Sequence, residues 1–294
     1  MLRRTLLAIA ALTLAQPVAL SIAQEGISML TPVQSGHAPI NGVEIYYETF
    51  GSGRPLVLLH GGLMAGESFA PLIPILAEGR QVITVDLQGH GHTPPFERPM
   101  TWANLATDIA GLIRHLGHDK ADFLGYSLGG LVALRTAIDH SEVVDRLVLV
   151  SIPYAFSGWH DYNQQGMRSM SAAMAEETMQ SPMYELYERL SPDPSQWART
   201  LEQTGALTGG DFDWSAEIPA IASPTLLVYG DYDAVRIAHA AAFFELLGGG
   251  QADGGWAGEN MTANRLAVLQ GTSHYYMNSD PRMAAEAVRF LNGD

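Results

Sequence analysis

A serine enclosed by glycines, in the segment 125–130 with sequence GYSLGG, constrains this chain more than any other feature. An apolar run from Ala121 to Leu124 precedes it, and a helical pattern from Leu131 to Ile138 follows it. This order predicts a strand, a sharp turn and a helix, with Ser127 at the apex in a positive-φ conformation that requires small neighbours. The turn would hold the hydroxyl above a sheet, where N–H groups at the start of the helix stabilise negative charge.

The serine motif by itself leaves two interpretations open. A glycine-flanked serine also occurs in ordinary turns, where it has no chemical role. The preceding strand and the following helix are the context that a nucleophilic serine requires. The rest of the chain must then supply a base, an acid and a second oxyanion donor.

Apolar runs typical of buried strands alternate with helical patterns along most of the chain. The predicted strands are 43–50, 55–59, 81–87, 121–125, 146–150, 225–229 and 265–269, and the clearest helices are 102–116, 235–247 and 281–291. This alternation predicts an α/β fold with a mostly parallel central sheet that is flanked by helices on both faces.

One long segment, 157–217, lacks strand-like runs and predicts helices interrupted by prolines. An insertion at this point, after a strand end, would lie over the sheet as a lid. The predicted organisation is therefore a core formed by residues 39–156 and 218–294, with a helical cap at 157–217.

Residues 1–23 predict an export signal. Two arginines precede the apolar stretch 6–15, and the small residues Ser21 and Ala23, on either side of Ile22, offer a cleavage site after Ala23. Because the apolar stretch is too short to span a bilayer, we expect an exported protein, periplasmic or secreted, without a stable membrane anchor. The paired arginines also fit a twin-arginine signal, so both export routes stay open. Residues 24–38 are polar and irregular and predict a tether.

The composition limits the partners and the chemistry. The formal charge is −15, Lys120 is the only lysine, and there is no cysteine. The negative charge argues against nucleic acid as a partner, and the lack of cysteine excludes disulfides and thiolate catalysis. His90 and His92 have the spacing of a metal-ligand pair, but we interpret them as shaping the loop after Asp86. We therefore expect no metal and no cofactor.

Two loops after predicted strands carry a base and an acid. His274 follows the last predicted strand and is the best candidate base. His60 lies in a turn after another strand, and we expect the backbone of that turn, and not the imidazole, to contribute to the site. Asp233 lies farther past its strand than Asp231, which we assign to the turn. A serine nucleophile needs an imidazole base and a carboxylate that orients it, so Ser127, Asp233 and His274 are the predicted catalytic residues. Along the chain the serine comes first, then the acid, then the histidine. One fold uses this order, and the chymotrypsin and subtilisin arrangements do not.

Taken together, these motifs resemble the α/β-hydrolase fold family, in the branch that holds esterases, lactonases, carbon–carbon bond hydrolases and cofactor-free haloperoxidases. The matching segments occur in the family's order, from about residue 39 to the C-terminus: 60–62, 86–91, 125–130, 230–233 and 271–274. The resemblance implies that the backbone N–H groups of Gly62 and Leu128 form the oxyanion hole. Haloalkane dehalogenases and epoxide hydrolases carry aspartate at the nucleophile position, so Ser127 counts against both. His92 departs from the small or cationic residue of many relatives.

The expected substrate is a small-molecule apolar ester or lactone. The predicted substrate-binding residues are Leu63, Tyr126, Trp159, Met170 and Met174. Methionines in the cap segment suit either plain packing or a flexible pocket lining, and the sequence leaves both open. The same triad would also serve carbon–carbon bond hydrolysis, perhydrolysis or amide hydrolysis, and a non-catalytic binding protein is the remaining rival. The oligomeric state stays open.

Overall fold

A computed structural model describes residues 30–293, so the predicted export signal lies outside the described residues. One sheet contains the strands β1 (Gln34–Ile40), β2 (Val43–Gly51), β3 (Arg54–Leu59), β4 (Arg80–Val85), β5 (Ala121–Tyr126), β6 (Val144–Val150), β7 (Thr225–Tyr232) and β8 (Arg265–Ser273). The helices are α1 (Ile73–Leu76), α2 (Trp102–His115), α3 (Leu128–Asp139), α4 (Asp161–Ser169), α5 (Ala175–Thr178), α6 (Pro182–Leu190), α7 (Trp197–Thr208), α8 (Ile237–Leu246) and α9 (Pro281–Asn292).

The strand order is β1-β2-β4-β3-β5-β6-β7-β8. The pairs β1–β2 and β2–β4 are antiparallel, and all later neighbours are parallel. The predicted α/β fold with a mostly parallel sheet is therefore confirmed. Because the carboxyl ends of parallel strands meet at one edge, the loops that follow β3, β5, β6, β7 and β8 converge there.

The central strands bury both faces, which explains their continuous apolar sequences. Leu56 and Leu58 pack with α1 and α9 on one face, whereas Val57 and Leu59 pack with α2, α3 and α8 on the other. This alternation follows from the two-residue period of a strand. All six residues of β5 are buried, so the strand that leads into the glycine-flanked serine lies at the centre of the fold.

The predicted tether at residues 24–38 was wrong at its C-terminal end. Residues 34–40 form β1, which pairs with β2 across the dipeptide Asn41-Gly42. Both turn residues have positive φ, 50° and 80°, as a tight two-residue hairpin requires. The Asn-Gly dipeptide is a hairpin signal in the sequence, and the prediction of a polar, irregular tether did not use it. Pro39 is tolerated because β1 is an edge strand.

The segment 157–217 is helical, and α4 to α7 occupy it between β6 and β7. Two of its prolines begin secondary-structure elements. Pro182 is the first residue of α6, and Pro194 is the first residue of a short 3₁₀ turn. Proline suits this position because the missing N–H would have no partner within the helix. Across residues 30–293, none of the helices combines the length and apolar character needed to cross a bilayer.

Candidate active site

Ser127 lies between the end of β5 and the start of α3 with φ 52° and ψ −120°. Three glycines make this turn possible. A Cβ at position 129 would lie 2.2 Å from the Leu59 carbonyl oxygen, and one at position 125 would lie 2.5 Å from the Gly129 carbonyl oxygen. A Cβ on Gly130 would meet Ile152 at 2.5 Å. The glycines are therefore required by close packing of the helix on the sheet as well as by the turn itself.

The three predicted catalytic residues form one chain of hydrogen bonds. His274 Nε2 lies 3.1 Å from Ser127 Oγ, and His274 Nδ1 lies 3.1 Å from Asp233 Oδ1. This geometry suits Nδ1–H donating to the carboxylate while Nε2 accepts from the serine hydroxyl. A hydroxyl so placed can give its proton to the imidazole as it attacks.

Asp233 is buried and well supplied with donors. Its Oδ2 accepts from Ser151 Oγ at 2.6 Å and from the Gly230 N–H at 3.1 Å, and its Oδ1 accepts from the Val235 N–H at 3.2 Å. Burial works to raise its pKa, but the hydrogen bonds from His274, Ser151 and Gly230 outweigh burial and lower the pKa. The carboxylate is therefore ionised at neutral pH.

Sequence reasoning missed Ser151. It is fully buried directly after β6, with φ 58°, so its backbone is as unusual as that of Ser127. A small hydroxyl residue directly after a buried strand was the available signal. Asp231, by contrast, is exposed, and its assignment to the turn after the strand was wrong. It lies within β7, and its Oδ1 accepts from the Thr272 N–H of β8 at 3.2 Å, so it links the two strands.

His274 is held from several sides. β7 and β8 pair as far as Tyr232 and Ser273, so the sheet itself carries His274 to the site. The Tyr126 hydroxyl donates to the His274 carbonyl at 2.8 Å, and the Trp159 ring lies edge-on to the imidazole with 5.6 Å between centroids. Burial raises the pKa of Tyr126, so its hydroxyl stays protonated and remains a donor.

Two backbone N–H groups beside the serine are available to a ligand. Among the described residues, no acceptor takes a hydrogen bond from the Gly62 or Leu128 N–H, whereas the Gly129 N–H donates to the His60 carbonyl at 2.9 Å. A Cβ at Gly62 would lie 3.7 Å from the Leu128 side chain, so the two residues are neighbours. Leu63, which follows, has φ 57°. Both N–H groups adjoin the cavity that contains Ser127 and could stabilise an oxyanion there.

Three other histidines near this site, His60, His90 and His92, have structural roles. His60 is fully buried, and its Nε2 accepts from the Leu87 N–H at 3.1 Å while Nδ1–H donates to the Gly61 carbonyl at 2.7 Å. Burial lowers the pKa of His60 and takes that of His90 to about 3, so both are neutral. His92 contacts Asp86 Oδ2 at 2.8 Å. Within residues 30–293 no three histidine or acidic side chains are grouped as metal ligands would be.

A cavity of about 650 Å³ opens from Ser127 and His274. Three of the predicted substrate-binding residues line it: Leu63, Trp159 and Met170. The other two required correction. Tyr126 lies beneath Gly61, where a Cβ would meet its ring at 2.8 Å, and it supports His274 instead. Met174 packs against the aromatic cluster of Tyr184, Tyr187 and Trp197.

Most of the remaining lining comes from the helices between β6 and β7, and sequence reasoning did not select it. The further lining residues are Leu131, Tyr162, Asn163, Gln165, Gly166, Met167, Ser169, Met183, Thr204, Thr208, Ala234 and Tyr275. Six of them lie on α4 and extend more than halfway around the helix, so no single helical face marks them in the sequence. Of the methionines in this segment, Met167, Met170 and Met183 line the cavity.

Comparison with known proteins identifies the family and the fold. A family model described as alpha/beta hydrolase fold matches residues 54–245. The soluble epoxide hydrolase of Corynebacterium sp. (strain C12) is 41% identical over 127 residues, which cover 42% of this chain and 43% of that enzyme, less than half its length. The pimeloyl-(acyl-carrier protein) methyl ester esterase of Aeromonas hydrophila subsp. hydrophila is 28% identical over 274 residues, covering 85% of this chain and 100% of that enzyme.

Solved structures show the same fold. An α/β-hydrolase enzyme named MGS-M2, from a Medee basin deep-sea metagenome library, superposes with a TM-score of 0.69 at 17% identity, covering 88% of this chain and 98% of that chain. Carboxylesterase CesB from Bacillus subtilis superposes with a TM-score of 0.66 at 21% identity, covering 89% and 92%. At these identities the superpositions establish architecture.

Proposed function

The chain belongs to the α/β-hydrolase fold family, and we propose that within it the protein is a serine hydrolase that cleaves carboxylic esters or lactones of small to medium apolar substrates. The observation that carries this proposal is the hydrogen-bonded chain from Ser127 through His274 to Asp233, which opens on a largely apolar cavity. The cavity volume of about 650 Å³ is that of a pocket for a small or medium molecule.

In the first half of the proposed reaction, Ser127 Oγ attacks the ester carbonyl while its proton passes to His274 Nε2. The carbonyl oxygen becomes an oxyanion that accepts from the Gly62 and Leu128 N–H groups. The protonated imidazole then gives its proton to the alkoxy leaving group as the carbon–oxygen bond breaks, which leaves an acyl group on Ser127. Losing one oxyanion donor typically costs about 3 kcal/mol of transition-state stabilisation.

The second half returns the enzyme to its starting state. Water gives a proton to His274 Nε2 and attacks the acyl carbonyl. The imidazolium then protonates Ser127 Oγ as the carboxylic acid is released. In both halves Asp233 keeps the imidazole in the tautomer that has a free Nε2 and stabilises the imidazolium. Its lowered pKa suits this role, because the carboxylate stays charged.

Among the relatives, the Aeromonas hydrophila methyl ester esterase supports ester cleavage, since the match covers that enzyme's entire length. The Corynebacterium epoxide hydrolase matches this chain over a shorter segment. The serine at the nucleophile position favours acyl transfer over epoxide opening, for which enzymes of this fold carry aspartate. We also propose that residues 157–217 act as a cap that helps to select the substrate, as the cavity lining from α4, α6 and α7 suggests.

The decisive variant is Ser127→Ala, with Ser195→Ala as a matched control at an exposed serine. We expect hydrolysis of 4-nitrophenyl butyrate to fall by about 10⁴-fold or more in Ser127→Ala and to stay unchanged in the control, because only Ser127 can form the acyl-enzyme. A fluorophosphonate probe should label the wild type and Ser195→Ala alone. Full turnover by Ser127→Ala would end the proposal.

The other reactions open to the same triad need a substrate comparison. An ester, an amide, a lactone and a vinylogous 1,5-diketone, each with acyl groups of similar size, distinguish ester cleavage from amide and carbon–carbon bond cleavage. Adding hydrogen peroxide and acetate tests perhydrolysis. We expect the ester or lactone to give the highest kcat/KM, and a higher value for either other bond would reassign the reaction.

Export is a separate proposal that rests on the sequence pattern of residues 1–23. Cell fractionation of the full chain, compared with a chain that begins at Gln24, tests it. We expect the full chain, shortened by cleavage near Ala23, outside the cytoplasm and the truncated chain inside it. Retention of the full, uncleaved chain in the cytoplasm would contradict the proposal.

A further inference from the structure

The cavity beside Ser127 contains no permanently charged side chain. Its lining consists of apolar residues together with neutral amides and hydroxyls, and His274 supplies the one imidazole among them. Of the arginines, the single lysine and the acidic residues described in residues 30–293, none contributes to the lining. A substrate group that enters this cavity therefore meets dispersion contacts and neutral hydrogen-bonding partners, and no ionic partner.

The charged residues adjacent in sequence to the lining are held away from it. Arg168, between two lining residues of α4, bonds to Asp211 at 2.5 Å and lies over the Phe156 ring at 4.6 Å. Asp161, at the start of α4, is exposed and accepts from Arg236 at 2.7 Å. Each charge thus has a partner that does not line the cavity.

The electrostatic environment also disfavours an anion. Asp233 lies directly behind His274 as an ionised carboxylate, and the whole chain has a formal charge of −15. A carboxylate on the substrate would lose its hydration on entering the cavity and would gain no cation in return. The field of the protein would also reduce its rate of encounter.

On the basis of the proposed function, we propose that this enzyme is selective for esters that are uncharged on both sides of the scissile bond, and that it discriminates against esters carrying a carboxylate or phosphate. A neutral ester can place its chain against Leu131 and Met167. Any additional ether, hydroxyl or carbonyl oxygen can bond to Asn163 or Gln165. The substrate class is therefore an aliphatic or aryl ester without ionic groups.

Three matched substrates test the inference: 4-nitrophenyl pentanoate, mono-4-nitrophenyl glutarate and methyl 4-nitrophenyl glutarate. The first two differ in a terminal carboxylate, and the third restores neutrality at similar length. At pH 7.5 we expect kcat/KM for the carboxylate ester to be about 100-fold lower than for either neutral ester, because its desolvation is not compensated. The methyl ester separates this charge effect from size.

A variant then tests whether the lack of a cation in the cavity causes the lower kcat/KM for the carboxylate ester. Met183 lines the cavity from α6 and is 45% exposed, so a longer polar side chain fits there without disturbing the core. We expect Met183→Arg to reduce the preference for the neutral glutarate ester over the charged one by about 10-fold, and Met183→Gln to leave that ratio near the wild-type value.

The failures of the two proposals are distinguishable. If Ser127 takes up a fluorophosphonate but the carboxylate ester is cleaved within a few-fold of its methyl ester, this inference is overturned and the serine hydrolase proposal stands. If Ser127 is not labelled and no ester is turned over, the proposed function fails and the substrate inference fails with it. An equal change of the ratio in Met183→Arg and Met183→Gln would contradict the role of charge.

Discussion

Unusual backbone conformations are concentrated at the site. In the part of the chain that the structure describes, the non-glycine residues with positive φ are Asn41, Leu63, Ser127 and Ser151. The first belongs to the β1–β2 turn. The other three belong to the active site. Ser127 is the proposed nucleophile, Leu63 follows Gly62, and Ser151 bonds to Asp233. Such conformations each cost of order 1–3 kcal/mol and persist only where the surrounding packing enforces them.

Two aspartates two residues apart allow a sharp test at the residue scale. In Asp233→Asn the shape is retained but the charge is lost, and the imidazole is no longer held in the productive tautomer. We expect kcat for 4-nitrophenyl butyrate to fall by roughly 10⁴-fold, as in other serine triads. Initial rates between pH 6 and pH 9 give the measurement.

The matched control is Asp231→Asn, since Asp231 is exposed and its Oδ1 accepts a backbone hydrogen bond that an asparagine oxygen can also accept. Its kcat should stay within a few-fold of the wild-type value. A comparable loss in both variants would show that the contact between β7 and β8, and not the charge on Asp233, supports the reaction.

At the scale of elements, one helix and one sheet edge position the chemistry. α3 begins directly at the serine, and its first turn packs so closely on β3 that Gly129 touches the carbonyls of Leu59 and His60. This approach brings Leu128 beside Gly62. The loops after β7 and β8 carry the acid and the base, and pairing of these strands sets their separation.

Replacing Gly129 by alanine tests this packing. A Cβ there would lie 2.2 Å from the Leu59 oxygen and 2.5 Å from the His60 oxygen, both backbone atoms that cannot move aside. We expect the free energy of unfolding in urea to fall by roughly 3 kcal/mol or more, the scale of a severe core clash. The matched control is Gly166→Ala in α4.

In contrast, a Cβ at Gly166 meets no atom within 4 Å. Alanine there should raise the free energy of unfolding by up to about 1 kcal/mol, because glycine is the poorer helix former. Equal stability of the Gly129 and Gly166 variants would contradict the assigned packing.

For the whole molecule, buried ionisable groups make stability depend on pH. Burial takes the pKa of the His90 imidazole to about 3 from an ordinary value of 6.5, and it lowers that of His60 as well. At these two positions the unfolded chain therefore binds more protons than the folded protein below pH 6.5. Stability from this source is complete above pH 6.5 and is lost as the pH falls toward the lowered pKa.

For His90 alone, linkage predicts a loss of about 2 kcal/mol in the free energy of unfolding between pH 7 and pH 5. His90→Asn, which can keep the hydrogen bond to the Gln88 carbonyl, should remove most of that slope. Urea titrations at both pH values measure it, with exposed His115→Asn as the control. A slope that His90→Asn leaves unchanged would contradict the argument.

Some features of the molecule follow from local sequence alone. The strand, turn and helix around Ser127 were predictable because glycine sterics and apolar periodicity act over a few residues. The same reasoning found β5, α2 and α9 nearly to the residue and selected His274 and Asp233 as loop residues after strands. These predictions depend on neighbours in the chain, which the sequence displays directly.

Other features depended on how distant elements pack, and only the tertiary structure decided them. Three examples depend on the relative orientation of segments far apart in the chain. Ser151 bonds to Asp233, and Tyr126 lies beneath Gly61. Met174 packs against an aromatic cluster, whereas other methionines of the same segment line the cavity. Helical spacing tells which residues share a face, but it does not tell which neighbour that face meets. The absence of ionic side chains from the described cavity lining is of the same kind, because it arises from where Arg168 and Asp161 find their partners.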